Sequence, residues 1–214
     1  MLGIFRTAGY PLHVARLLTG LCTNKTWQGV TDGVSEAGDD PQGLRRKYAR
    51  LFQAHLPQGA PTSPALANLC AWSLDCRLAG LTATFGGRYS RYADDLIFSG
   101  DARFMSTLSR FRVGVLAIAH NEGFEIRNRK TLVMKHDQRQ TVTGLVVNER
   151  ANISRRDFDR LKAILTNCKH HGPASQNREQ HANFQAHLQR RVAHVASVNP
   201  VRGKRLRHLF NAIT

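Results

Sequence analysis

The sequence predicts an α+β fold, and three observations carry that expectation. A strand-like pair, Gly87 to Arg91 and Leu96 to Ser99, flanks the short polar stretch Tyr92-Ala93-Asp94-Asp95, with Gly100 closing the second run. Apolar residues at Phe104, Leu108, Phe111, Val115 and Ile118 recur four and three apart, the mark of a helix with one buried stripe. After Ser154 the chain carries only helical spacing. Strands and helices mixed in this order predict an antiparallel sheet with helices on one face, followed by an all-α segment.

Element by element, Pro11 with Val14, Leu17, Leu18 and Leu21 predicts a short amphipathic helix. Residues 28–42 are rich in Gly, Asp and Ser and read as a loop. Pro57, Pro61 and Pro64 forbid regular structure before Ser63, since each fixes φ and lacks a donor. Ser63 then reads as an N-cap with Pro64 at the first helical position, opening one helix through Leu66, Leu69, Trp72, Leu74 and Leu78. Phe124 to Ile126, Thr131 to Lys135 and Thr141 to Val147 read as short strands. Ser154 with Asp157 forms a capping box ahead of Phe158, Leu161 and Leu165, and Gly172-Pro173 ends that helix. Phe184, Leu188, Val192 and Val195 mark a second helix, stopped before Pro200; Leu206, Leu209, Phe210 and Ile213 mark a third. A domain boundary is expected near residues 148–152, giving domains 1–150 and 151–214.

Composition narrows the partners. With 42% hydrophobic residues in 214, the chain buries a real core. Lys and Arg number 31 against 15 Asp and Glu, a net charge of +16, which points to a polyanion, most simply nucleic acid. Between Ser154 and Thr214 the balance is 12 basic to 3 acidic residues, so the surplus concentrates in the helical end. Cys22, Cys70, Cys76 and Cys168 have no Cys-x-x-Cys spacing and read as reduced, semi-buried thiols of a cytoplasmic protein. His170 and His171 beside Cys168 lack a second ligand pair and read as a polar helix end. No stretch is long and apolar enough to suggest a signal peptide or a membrane span.

Asp94 and Asp95 are the candidate metal ligands. Hard cations such as Mg²⁺ take one or two carboxylates together with substrate phosphates. Two such ions can clamp the attacking and leaving oxygens of an in-line phosphoryl transfer. An ordinary polar turn is the competing reading of the pair taken alone, since Asp is common in turns. Upstream, Gln58-Gly59 supplies an amide and a backbone open to close approach, just before a helix N-terminus that suits a phosphate.

The segment LPQGAPTSPALANL (Leu56 to Leu69) followed by RYSRYADDLIFSG (Arg88 to Gly100) resembles the palm of a bacterial reverse transcriptase, the retron type in particular. GFEIRNRKT (Gly123 to Thr131) is similar to the segment after that family's active-site hairpin, and VTGLVVN (Val142 to Asn148) to its palm–thumb junction. IFRTAGYPLHVARLLTGLCTN (Ile4 to Asn24) resembles the helix after the first catalytic strand, so the likeness covers most of the chain. QGAPTSP (Gln58 to Pro64) in place of a QGGPLSP form, together with Val142-Thr143-Gly144, leans towards retrons over group II intron or other phage-defence enzymes.

The resemblance implies a partial palm over 1–150, with a fingers or palm-insertion remnant at 25–55, and a basic thumb over 151–214. It implies RNA-directed DNA polymerisation with two Mg²⁺ ions, deoxynucleoside triphosphates, an RNA template or structured non-coding RNA, and nascent DNA. Asp94 would be the principal metal ligand and Asp95 an accessory one; Tyr92 and Ala93 would line the floor under the primer end. Gln58 and Gly59 would face the incoming nucleotide, and Ala60, of the same loop, would join them or serve as loop filler. Lys130 would act on the departing pyrophosphate, with a solvated lysine as the alternative. Val142, Thr143 and Gly144 would recognise structured RNA, or form a plain strand with a glycine bulge. Arg202, Lys204, Arg205 and Arg207 on the last helix would meet a phosphate backbone, or form a solvated face. A role in phage defence follows from family likeness alone, and an effector partner is left unidentified.

The resemblance also calls for a third aspartate on a strand before Ile4, and for fingers that are mostly missing here. Asp39 and Asp40 sit in a Gly/Pro-flanked loop and are rejected for that role. An internal or misassigned start, a degenerate remnant and a separate complementing chain each account for this. The expectation is a 214-residue chain that binds nucleic acid with little or no polymerase activity. A non-catalytic RNA-binding descendant is the reading from a different class.

Overall fold

A computed structural model describes residues 1–26, 49 and 51–213. The loop expected over 28–42, with Asp39 and Asp40, lies outside the described residues, as does most of 25–55. The described chain is α+β and divides into two compact units, Met1–Ile126 and Arg127–Thr214.

The first unit opens with helices α1 (Leu2–Thr7) and α2 (Leu12–Cys22), which pack on each other. Helix α3 spans Ser63–Cys70 and α4 spans Trp72–Thr84. One continuous helix was expected here, but the chain breaks at Ala71, and Leu69 and Trp72 are exposed. Ser63 is not the N-cap: Thr62 takes that position without a side-chain cap, and the Ser63 hydroxyl donates instead to the Pro57 carbonyl at 2.7 Å. That bond closes the proline-rich loop on itself.

Strands β1 (Arg88–Tyr92) and β2 (Asp95–Ser99) pair antiparallel, with Tyr92 opposite Asp95 and Arg88 opposite Ser99. Helices α5 (Ala102–Ser106) and α6 (Leu108–Asn121) follow, separated at Thr107 where one helix was expected. Asp101 caps α5 by accepting from the Phe104 amide at 2.9 Å. The core joins Leu74 and Leu78 of α4 to Phe104, Phe111, Val115 and Ala119, with Tyr89, Leu96 and Phe98 of the hairpin packed on it. Phe111 is its hub, with ring centroids 4.9 Å from Phe104, 5.0 Å from Phe98 and 5.5 Å from Phe85. Gly87 and Gly100 at the open end of the hairpin lie against the Phe104 ring, where a Cβ would approach to 2.8 and 2.5 Å. Arg77 of α4 pairs with Glu122 beyond α6 at 2.7 Å.

In the second unit, a short 3₁₀ turn (Asn128–Lys130) precedes strands β3 (Thr141–Val142) and β4 (Leu145–Val146). The strands expected at 124–126 and 131–135 are not formed. The strand expected over 141–147 is a hairpin, because Thr143 (φ +48°) and Gly144 (φ +83°) turn the chain back with the two positive φ values of a type I′ turn. The expected layered sheet is therefore two separate two-stranded hairpins among the described residues.

Helix α7 (Arg155–His171) starts at Ser154, whose hydroxyl oxygen accepts from the Asp157 amide at 3.1 Å, and ends at Gly172. Helices α8 (Phe184–Val198) and α9 (Pro200–Asn211) complete a three-helix core of Leu161, Leu165, Cys168, Leu188, Val192, Val195 and Leu206, with Ile153 beneath. Asn183 and Asn199 cap α8 and α9, accepting from the Ala186 and Arg202 amides at 2.9 and 3.0 Å.

Candidate active site at the hairpin apex

Alternation along β1 sends Tyr89 and Arg91 to the packed face and leaves Arg88, Ser90 and Tyr92 exposed. The apex is a two-residue turn, Ala93-Asp94, between the facing pair Tyr92 and Asp95. Ala93 sits at φ +51°, a left-handed conformation that a non-glycine residue adopts at a cost of about 1 kcal/mol or more. Positive φ at the first central position alone is the pattern of a II′ turn, whose twist matches the strands it joins. Tyr92, Ala93, Asp94 and Asp95 are all exposed.

The apex is held from behind. Asp75, in the first turn of α4, accepts from Arg91 Nε at 2.8 Å, from Arg91 Nη2 at 2.7 Å and from the Tyr89 hydroxyl at 2.7 Å. Arg91 Nη1 donates to the Asn68 side-chain oxygen of α3 and to the Ala93 carbonyl, both at 2.9 Å. Hydrogen bonds from the Arg91 guanidinium hold the Asp75 carboxyl below the usual carboxylate range against the opposing effect of burial. Burial, reinforced by the bond to Asp75, pushes the Tyr89 phenol well above its usual value. One ionic network thus ties helices α3 and α4 to the turn that carries Asp94.

The Gln58 loop belongs to the same unit. Gln58 and Gly59 are exposed, Ala60 is half-buried, and Gly59 takes φ +84° with open space around its α-carbon. The loop runs directly into α3, whose Asn68 meets Arg91. Of the residues expected at the site, Asp94, Asp95, Tyr92 and Ala93 share the apex, and Gln58, Gly59 and Ala60 share the loop. Lys130, Val142, Thr143, Gly144, Arg202, Lys204, Arg205 and Arg207 lie in the second unit. Among the described residues no group of three or more His, Cys, Asp or Glu side chains is arranged to hold a metal. Two exposed carboxylates on a pinned turn still fit a hard cation that takes its remaining ligands from phosphate and water.

In the second unit, Lys130 closes the exposed 3₁₀ turn, Val142 is half-buried, and Thr143 and Gly144 form the exposed turn of the β3–β4 hairpin. Lys204, Arg205 and Arg207 are exposed on α9. Arg202 is engaged: its Nη1 donates to Asn152 Oδ1 at 3.1 Å and to the Ile153 carbonyl at 3.0 Å, and its guanidinium lies 5.0 Å from the centre of the Phe158 ring. Of the thiols, Cys168 is buried, Cys22 half-buried, and Cys70 and Cys76 exposed rather than semi-buried. No described helix is long and apolar enough to cross a membrane.

Sequence reading missed Asp75, Asn68 and Arg91. Asp75 was hidden in an ordinary helical stretch, and nothing in spacing pairs it with an arginine sixteen residues on. The one available signal was Arg91 alternating onto the apolar face of its strand, where a charge needs a partner.

The family described as "Reverse transcriptase (RNA-dependent DNA polymerase)" matches residues 40–148, a stretch that contains the loop, the apex and the β3–β4 hairpin. The chain belongs to the reverse transcriptase family. It is of the retron type. It is 43% identical to the retron Mx65 reverse transcriptase of Myxococcus xanthus over 211 residues, 95% of this chain and 43% of that protein. It is 32% identical to the retron Ec86 reverse transcriptase of Escherichia coli over 164 residues, 76% of this chain and 42% of that one. It is 39% identical to the retron Mx162 reverse transcriptase of Myxococcus xanthus over 128 residues, 53% of this chain and 26% of the relative. This reverse transcriptase chain thus spans less than half the length of the curated relatives it matches.

Proposed function

We propose that this chain carries the active-site hairpin and the duplex-gripping helices of an RNA-directed DNA polymerase of the retron type. The observation that carries the reading is the pinned apex, which presents Asp94 and Asp95 to solvent inside the stretch that matches the family. Residues 1–150 serve as partial palm and 151–214 as thumb. Asp94 is the principal carboxylate for Mg²⁺ and Asp95 the accessory one. Bound there, Mg²⁺ supplies charge that favours attack of a primer hydroxyl on a deoxynucleoside triphosphate.

The protein's own groups do the positioning. Tyr92 offers an exposed ring beneath the primer end, and Ala93 leaves room for the duplex because its side chain is a methyl group. Gln58 hydrogen-bonds the incoming nucleotide, while Gly59 and Ala60 let the backbone approach it closely. Lys130 meets the charge of the departing pyrophosphate. Val142, Thr143 and Gly144 present a tight turn to structured RNA. Lys204, Arg205 and Arg207 track a phosphate backbone independently of sequence.

The test is RNA-templated incorporation of deoxynucleotides by the natively expressed protein and by its Asp94→Asn variant. Loss of a group that stabilises developing charge costs about a hundredfold or more. Incorporation that falls by that factor supports the reading. Equal RNA binding by both proteins, with incorporation by neither, points instead to an RNA-binding role without catalysis.

A further inference from the structure

We propose that Arg91 is a positioning residue for the cation-binding apex, acting through the Ala93 carbonyl. The inference rests on the reading of Asp94 and Asp95 as cation ligands. Arg91 commits four of its five N–H groups: two to Asp75, one to Asn68 and one to Ala93. Its side chain is 12% exposed, so the guanidinium is largely covered, whereas its acceptors Asn68 and Ala93 lie at the surface.

The bond to Ala93 matters because the peptide group is planar. The Ala93 carbonyl and the Asp94 amide share one rigid plane, so fixing the oxygen fixes the direction in which the chain enters Asp94. Ala93 at φ +51° occupies a conformation that isolated alanine disfavours, and an external bond to its carbonyl offsets that cost. Asp75 and Asn68 in turn hold the guanidinium from two different helices, so the apex takes its aim from α3 and α4 rather than from the strands alone. Groups that orient metal ligands from behind typically control affinity by about 10- to 100-fold.

Arrangement and charge make opposite predictions here. As a nearby cation, Arg91 opposes binding of another cation, so simple electrostatics predicts tighter metal binding once it is removed. Positioning predicts weaker binding. Arg91→Lys separates the two most cleanly: it keeps the charge and an ion pair with Asp75, but one ammonium cannot hold a carboxylate in two-point contact and also reach a second acceptor in the guanidinium's plane.

The experiment titrates Mn²⁺ into isotopically labelled protein and follows paramagnetic broadening of the Ala93 to Leu96 amide signals, with thermal midpoints recorded alongside. Wild type is expected to show saturable broadening at the apex that Asp94→Asn removes. Arg91→Lys should weaken the apparent affinity about tenfold or more, with dispersed signals from Phe98 and Phe111 showing an intact core. The charge-balanced pair Arg91→Gln with Asp75→Asn should weaken it similarly, and serves as the second variant should lysine disturb folding. Wild-type affinity in either folded variant overturns the positioning role and leaves the cation site standing. Identical behaviour of wild type and Asp94→Asn removes the cation site, and the inference with it.

Discussion

Replacing Arg202 by alanine separates structural cations from those left for nucleic acid. Arg202 Nη1 makes two hydrogen bonds, at 3.1 and 3.0 Å, and the guanidinium stacks on Phe158 at 5.0 Å. Each bond contributes about 1 kcal/mol net, and the ring contact about 0.5–1 kcal/mol. The variant should therefore lose about 2–3 kcal/mol from the second unit. The cap of α9 survives, because Asn199 accepts from the Arg202 backbone amide rather than its side chain. Binding of an RNA–DNA duplex should respond differently. The logarithm of affinity falls with the logarithm of salt by about 0.9 per phosphate neutralised on duplex DNA. Alanine at Lys204, Arg205 or Arg207 should each reduce that slope by about one, whereas Arg202→Ala should leave it unchanged. Urea denaturation supplies the stability and fluorescence anisotropy across a salt series supplies the slope. A unit decrease in slope for Arg202→Ala at unchanged stability would refute this division of labour.

Three further outcomes follow from the same geometry. Phe111→Ala empties the hub of the first core and should cost about 3–5 kcal/mol, read by denaturant unfolding with near-ultraviolet dichroism as the probe. Gly203→Ala drives a methyl into the backbone of Ala196 where α9 crosses α8, and should cost about 1–3 kcal/mol in the second unit. The pH profile should fall off on both flanks. Asp75 has its folded pKa lowered, so its contribution is complete above about pH 3.9, the unfolded value, and is lost as pH falls further. Tyr89 has its folded pKa raised, so its contribution is complete below about pH 10 and is lost as pH rises towards the folded value. Thermal midpoints of Tyr89→Phe measured against wild type should therefore converge at alkaline pH.

What the sequence made legible was what local chemistry writes. The β1–β2 hairpin, α2, α7 with its Ser154 cap, and α8 and α9 follow from periodicity, capping residues and proline stops. The breaks at Ala71 and Thr107 were not legible, because apolar residues three and four apart continue across both. Residues 124–126 and 131–135 have strand-like composition, but a strand needs a partner and spacing does not name one. Thr143-Gly144 carried a turn signal that was read as a bulge. At the site, Asp94 and Asp95 stood out by motif, whereas the group that aims them was hidden: a salt bridge between a helix and a strand leaves no periodic trace. The four cations of α9 looked alike in sequence, and only their contacts separate Arg202 from the rest.

The most direct measurement is a crystal structure of the protein with an RNA–DNA duplex, a non-hydrolysable deoxynucleotide and Mn²⁺, read by anomalous scattering. The account predicts a manganese peak at bonding distance, about 2.1 Å by analogy with Mg²⁺, from a carboxylate oxygen of Asp94, with the primer end beside Tyr92. A duplex bound with no metal at Asp94 or Asp95 would contradict it.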